Sequence, residues 1–477
     1  MEGLLKNRYS VVGLFLAVLF SVNTVFIVVY HLAGVTGSSA FSAALFFVCE
    51  TTILVLTFRY VKVIPADWLF CVFLLAIAVS LARNGITAGS KETAILFVAI
   101  AAYPTCRFIS AGAIGQTKRA FGLTSAFIAL FGACATACAL YQQWPVPAGK
   151  PDVFGNDAAG THYLMALGFF VSFVATQKLT QRQAAIISAV LFVSCTIFAA
   201  ALVRFTFLVL VASMLIAWLL SVGKSRQHIA TFIGVIVVAV VCGTLVRFDK
   251  IPILISFLTE TNAQRNASTS LPPPVAATPQ AVLPPKVSDG SLPAISPSQA
   301  IPSSSAIPPS PATNSEPAAS GLPSASVPPA ASRSHDIWPP SCGLEVNIRN
   351  SFAERKALWQ DSAYLIPRSG LFGFGLDAFM ELSCMKGFPP HNSIFQAFIE
   401  FGWIGGTALS GMIIFILFRL FRVARINEDA RFVFCMLSFA TLISLAHGRL
   451  SRDWVLFGML GLGSAMVELM GSYRKVS

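Results

Sequence analysis

The chain has 477 residues, of which 55% are hydrophobic and only 11% charged. A soluble domain carries charge on about a quarter of its residues, so this composition excludes a soluble enzyme and points to a polytopic membrane protein. A net charge of +12 suits a nucleic-acid binder, but the basic residues sit in short loops on alternate sides of apolar runs. That is the positive-inside bias, and it requires no nucleic acid.

The apolar runs are about 18 to 22 residues long, the length that crosses a bilayer as a helix, whereas a transmembrane barrel shows alternating segments of about ten. The predicted fold is therefore all-α, and forty Phe suit helices that face lipid. Twelve spans are expected near 11–31, 38–58, 66–82, 88–105, 121–141, 159–177, 184–203, 205–222, 229–246, 402–420, 430–447 and 451–471. The first follows Lys6 and Arg8, lacks a small-residue cleavage site and leads straight into the next run, so it reads as a retained helix and not a signal peptide.

With the N-terminus inside, the inner loops carry Arg59 and Lys62, then Arg107, Lys118 and Arg119, then Lys178 and Arg182, Lys224 and Arg226, and Arg419, Arg422 and Arg425. Arg474 and Lys475 end inside as well, so both termini are expected in the cytoplasm. The 142–158 loop, Arg204, the whole 247–400 segment and the pair His447 and Arg449 then face outward. In a Gram-negative cell that face is the periplasm, which holds no ATP or sugar nucleotides. Transfer chemistry there draws on an activated, lipid-linked donor.

The expected domains are spans one to nine (1–246), the start of an outer loop (247–265), a linker (266–340), an ordered outer segment (341–401) and spans ten to twelve (402–477). The linker is rich in Pro, Ser and Ala and poor in aromatics, a composition that cannot bury a core. Eight of the ten cysteines lie in or beside spans and behave as small apolar residues; Cys342 and Cys384 fall in the ordered outer segment, where an oxidising compartment permits a disulfide between them.

The polar candidates lie on the outer side. Residues 142–163 contribute Lys150, Asp152, Asn156, Asp157, His162 and Tyr163. Arg204 interrupts an apolar run and fits either an arginine snorkelling to the interface or one that meets a lipid-linked phosphate. Residues 351–366 read as an amphipathic helix capped by Ser351 and followed by Pro367, with Arg355 and Trp359 four apart on one face. The planar fork of a guanidinium matches a pyrophosphate. His391, in PPHNSIFQAF, can take a proton from an attacking hydroxyl, and Asn392 can cap the helix that follows. Glu400 is placed to orient an Arg or His, while Gly373, Gly375, Gly402, Gly405 and Gly406 suit turns and close helix packing. Each of these residues taken singly also fits a structural role.

The stretch from Glu354 to Gly406 combines the arginine, the Gly373-Phe374-Gly375 turn, the His391-Asn392 pair and Glu400-Phe401-Gly402. That order and spacing resemble the signature of the O-antigen ligase and polymerase superfamily. The resemblance implies a GT-C-like membrane glycosyltransferase with its large periplasmic loop between spans nine and ten. It would transfer a glycan from undecaprenyl pyrophosphate with inversion and without a metal or other cofactor. It implies that Arg204 and Arg355 hold the pyrophosphate and that His391 acts as general base; beside it, the reading of the residues offers Asn392, Trp359, Glu400 and His162 as substrate-binding candidates. The ligase acceptor is lipid A-core; a polymerase instead joins lipid-linked repeat units. This chain departs from the family in its long linker and in Phe205, where many relatives have a small residue.

No metal-ligand cluster, Walker loop or dinucleotide fingerprint is legible. Two readings from other classes stand beside the enzyme. One is a twelve-span secondary transporter, for which the candidate acids are Glu50, Glu92 and Glu468. The other is a non-enzymatic assembly or export factor.

Overall fold

The computed structural model describes residues 2–34, 39–85, 90–144, 150–203, 205–247 and 351–473, together with Pro339 and Cys342. The expected linker therefore lies outside the described residues except for Pro339, and Arg204 lies outside them as well. Among the described residues ten helices precede the linker: α1 (Glu2–Phe20), α2 (Val22–Ala33), α3 (Ser39–Thr57), α4 (Pro65–Asn84), α5 (Ser90–Arg107), α6 (Ile114–Gln142), α7 (Ala159–Val174), α8 (Gln181–Ala200), α9 (Phe205–Leu220) and α10 (Lys224–Val246). After it come α11 (Ser351–Leu365), α12 (Ala378–Leu382), α13 (Ser393–Ala424), α14 (Glu428–His447) and α15 (Trp454–Tyr473). No strand occurs among the described residues, only an isolated bridge between Val153 and Asn156.

Each predicted apolar segment lies on a helix within the described residues. Among the described residues seven helices are long and apolar enough to cross a membrane: α4, α6 with its preceding turn, α8, α10, α13, α14 and α15. The count is eight if α1 and α2 form one bent span. The apolar part of α3 and the whole of α7 and α9 are shorter. The first expected span is not one straight helix, because α1 and α2 meet at 75°. Ser21 explains the break: its carbonyl accepts both the backbone N–H and the hydroxyl of Thr24, which starts α2 afresh.

Phenylalanines fill the interior to a degree the lipid-facing expectation misses. Phe73, Phe121, Phe169, Phe198, Phe232, Phe401, Phe439 and Phe457 are fully buried. Phe169 meets Phe439 edge to face at 5.6 Å, and Phe20 meets Phe121 in the same way at 5.9 Å. Such pairs add to the burial of area alone. Glycines make the room, with Gly122 under Phe173 and Gly168 under Phe439.

Ion pairs sort the helix ends into two groups. Arg107, 3% exposed, pairs with Asp67 at the start of α4 (2.9 Å) and with Glu468 on α15 (2.6 Å). Glu468 also takes Arg59 at 3.0 Å, and Lys118 reaches Asp429 at 2.5 Å. At the opposite ends Arg449 pairs with Glu92 and Asp377, both at 3.2 Å, and Arg452 pairs with Glu92 at 2.9 Å. The first group joins only residues of predicted inner loops and their flanking helix ends, as alternate crossing requires. A buried pair of this kind is costly to break, since the partner left behind is an unpaired charge.

A second, smaller core covers the N-terminal end of α13. Leu358 and Leu365 of α11 pack with Phe379 and Leu382 of α12, with Met385 and with Ile399. Cys342 is disulfide-bonded to Cys384. The backbone N–H of Cys384 also donates to the buried Asp361 carboxylate of α11 at 2.9 Å.

Candidate functional site

The site is built on a splice between a glycine-rich loop and a broken helix. Gly402 interrupts α13 with φ +72° and ψ −170°. The break frees carbonyls on one side and N–H groups on the other, and the loop after α11 satisfies both. Phe374 N–H donates to Ile399 O (3.0 Å), and Gly375 N–H donates to Glu400 O (3.1 Å). In the other direction Trp403 N–H donates to Gly370 O (3.0 Å), and Ile404 N–H donates to Leu371 O (3.2 Å). Ser80 of α4 adds its hydroxyl to Glu400 O at 2.8 Å. A Cβ on Gly402 would overlap backbone atoms of Leu371 and Gly373, and one on Gly373 would overlap Glu400. Only glycine serves at the two closest approaches.

This splice fixes the entry to α13, where His391 and Asn392 sit. Asn392 caps the helix, its side-chain oxygen accepting from Ile394 N–H (3.1 Å) and Phe395 N–H (3.0 Å). His391 takes a left-handed backbone, φ +52°, just before the cap. Two prolines precede it and an extended cap residue follows, so the turn aims its ring toward the first turn of α11.

There His391 Nε2 lies 3.6 Å from the Glu354 carboxylate. Arg355, the next residue, points the other way. It donates to the carbonyl of Ala446 and, through Nη2, to His447 Nδ1 at 3.1 Å. Its guanidinium stacks on the Phe205 ring at 4.0 Å, and Phe205 in turn meets His447 edge to face at 6.1 Å. One helical turn of α11 thus ties the end of α14, the start of α9 and the entry to α13. The separation of 36 positions between Arg355 and His391 is closed by that single turn.

Burial sets the electrostatics here. It pushes the His391 imidazole down to about 4, with the Arg355 charge adding to the effect. The carboxylate at 3.6 Å does not outweigh those two, so His391 is a neutral proton acceptor near pH 7. Burial also holds the Glu354 carboxyl above the usual carboxylate range, against the opposing charges of Arg355 and Lys150.

The remaining candidates distribute as follows. Trp359 is not the aromatic plane under Arg355; it is half-exposed, and Phe205 takes that place because the guanidinium turns inward toward the bundle. Glu400 does not orient His391 or Arg355. It is fully buried and accepts from Gln396 Nε2 (2.9 Å), whose own side-chain oxygen accepts from Leu450 N–H (2.7 Å). The helix break turns this residue into the bundle and away from the outer surface. His162 sits within α7, with Asn23 Nδ2 3.5 Å from its Nδ1. Asn156 turns the 150–158 loop, accepting from Ala158 N–H at 2.8 Å, and Tyr163 packs over Gly132. Lys150, Asp152 and Asp157 are exposed. Gly405 lies against Ala76 of α4 and Gly406 against Phe398, as helix-packing glycines do. The cap expected of the Ser351 side chain lies outside the described residues.

Three partners escape a reading of sequence alone. Glu354 looks like half of an ordinary surface pair with Arg355, His447 like the end of a span, and Phe205 like one more lipid-facing aromatic. The only signal for His447 is its place on the same predicted side as Arg355. Among the described residues no group of three or more His, Cys, Asp or Glu side chains is placed to hold a metal ion. Comparison of the chain with protein-family models, with curated proteins and with solved structures finds no match.

Proposed function

We propose that this chain is a multi-pass glycosyltransferase of the O-antigen ligase kind, working at the outer face of a bacterial inner membrane. The donor is a glycan on undecaprenyl pyrophosphate, and the acceptor is a hydroxyl of lipid A-core. The observation that carries the reading is the Glu354-Arg355 turn, which brings together a neutral histidine, a carboxylate 3.6 Å from its Nε2 and a partly buried guanidinium. Those are the groups that inverting transfer from a pyrophosphate needs. The acceptor oxygen attacks the anomeric carbon as the bond to the pyrophosphate oxygen breaks, and the hydroxyl proton passes to His391 Nδ1, the ring nitrogen that does not face Glu354. Glu354 steadies the imidazolium that forms, while Arg355, with Arg204, takes up the charge of the departing pyrophosphate. The reading includes twelve crossings, both termini in the cytoplasm and no metal in the transfer step.

The acids a transporter would use fall differently. Glu92 and Glu468 are held in ion pairs at the two ends of the bundle, and of the three candidates only Glu50 has a buried oxygen without a hydrogen bond. Exchange of ions at the midplane calls for several such groups.

The test is a deletion strain complemented with the intact gene, R355A or H391A, its surface glycans resolved by size. Bare lipid A-core with full-length lipid-linked chains accumulating supports the ligase. Core capped by a single repeat unit replaces it with the polymerase. An unchanged glycan profile in the deletion refutes both.

A further inference from the structure

His447 holds information beyond its contact with Arg355. All the nitrogens of a guanidinium donate and none accepts, so the hydrogen bond at 3.1 Å makes His447 Nδ1 the acceptor. The ring is then neutral and carries its hydrogen on Nε2, because the other tautomer would set N–H against N–H. Phe205, edge-on at 6.1 Å, limits rotation of the ring out of that arrangement. Nε2 is enclosed and has no hydrogen-bond partner among the described residues. A buried donor without an acceptor is rare in a folded protein and calls for one.

The chemistry of that acceptor follows from the neighbours. The titratable groups that act on His447 are the cations Arg355 and Lys150 and the imidazoles of His391 and His162. Arg355 spends two of the five N–H donors of a guanidinium on Ala446 and His447, and the rest have no acceptor among the described residues. Several donors converge, and among the described residues no carboxylate accepts a hydrogen bond from His447 or Arg355. An anionic oxygen fits.

We propose that the His447 Nε2–H donates to a non-bridging oxygen of the pyrophosphate of the donor substrate, preset for that bond by Arg355. His447 moves no proton; it adds a neutral, directional donor to the charge that Arg355 supplies. This inference rests on the glycosyl-transfer reading above, which assigns a role to His391 and Arg355 but none to His447.

The experiment measures binding by the full chain in lipid nanodiscs, titrated separately with undecaprenyl pyrophosphate and with inorganic pyrophosphate. H447N keeps an oxygen or nitrogen near the Nδ1 position for Arg355 but loses the far donor; H447Q puts an amide N–H near the Nε2 position. H447N is expected to bind about ten- to a hundredfold more weakly, the range for losing one hydrogen bond to a charged group, while H447Q stays within about threefold. Melting of H447N at the wild-type temperature separates this from misfolding. Were H447N to lose its fold, H447Q carries the test by itself: retained affinity supports the donor role and lost affinity overturns it. Wild-type affinity in H447N overturns the inference and leaves the function standing. Failure of the wild-type chain to bind either pyrophosphate overturns both. Binding of the lipid-linked form alone shows that the chain recognises the pyrophosphate with its lipid attached, and binding of both shows that the pyrophosphate suffices.

Discussion

Replacing Gly402 with alanine tests whether the loop splice holds the site together. Gly402 has φ +72° and ψ −170°, a region that only glycine occupies easily, and forcing a Cβ into it costs about 1–3 kcal/mol. The added atom also overlaps backbone atoms of Leu371 and Gly373, which no rotamer change relieves. The loop must therefore withdraw, and it carries the four hydrogen bonds from Phe374, Gly375, Trp403 and Ile404. At about 1 kcal/mol each, losing between one and all of them brings the total to about 2–7 kcal/mol. That is a large part of the about 5–15 kcal/mol that stabilises a typical protein. G402A should leave little monodisperse protein after a heating step that the wild type survives, measured by fluorescence-detected gel filtration in detergent. G373A should behave in the same way, since its Cβ meets the Glu400 backbone from the other side. Gly234 provides the control: it lies within α10, and a Cβ there meets nothing within 4 Å. G234A should match or exceed the wild type, because alanine is the better helix former by about 1 kcal/mol. Wild-type survival of both G402A and G373A would refute the splice as a source of stability.

Other expectations follow from the same geometry. R355A should lower turnover by about 10²- to 10³-fold in a reconstituted transfer assay, the usual cost of losing a group that stabilises developing charge. R355K should recover little of it, since an ammonium lacks both the fork and the flat face that lies on Phe205. The Cys342–Cys384 bond closes a separation of 42 residues, for which chain entropy gives about 4 kcal/mol; C384S, or reductant on the wild type, should lower the melting temperature, and an unmoved melting curve would count against the clamp. R107A leaves Asp67 without its ion pair and Glu468 with Arg59 alone, and should cost about 3–5 kcal/mol, read as a fall in melting temperature that added salt does not reproduce. His391 binds its proton only near pH 4, below its ordinary value, so the neutral base is present above that pH. Transfer should rise with pH through about 4 and be level by neutrality; a rise centred near 6.5 would refute the burial argument. Stability moves in the same sense: between about 4 and 6.5 the unfolded chain holds the proton and the folded chain does not, so this contribution is complete above about 6.5 and is lost as pH falls through that window.

The helices were legible because lipid demands long apolar runs with satisfied backbones, and those runs stand out against 11% charge. Arg355 and His391 were legible for the complementary reason, as polar residues at the edges of an apolar chain. What sequence could not show is nonlocal. The bend at Ser21 has no proline to announce it; it is made by Thr24 bonding back to the Ser21 carbonyl. Gly402 reads as one more packing glycine in Glu400-Phe401-Gly402-Trp403-Ile404-Gly405-Gly406, and its helix break is stable only because a loop far upstream supplies the missing partners.

The aromatic under Arg355 illustrates the limit most sharply. Helical spacing puts Trp359 and Arg355 on one face, and that argument is sound for an isolated helix. The guanidinium nevertheless leaves that face, because the end of α14 offers a carbonyl and an imidazole nitrogen while Phe205 offers a ring at 4.0 Å. A buried charge follows its acceptors, and an i, i+4 neighbour on the exposed side supplies only a few tenths of a kcal/mol against them. The same contest explains Glu354. With Arg355 drawn to α14, the preceding carboxylate is left facing the entry to α13, where His391 is the basic group within reach. Phe205 is thus the floor on which Arg355 rests. A small residue there would leave the guanidinium its hydrogen bonds but not its orientation, so F205A should weaken binding of the pyrophosphate donor without disturbing the His391–Glu354 pair. A pH profile that keeps its limb near 4 while donor affinity falls would separate the two halves of the site.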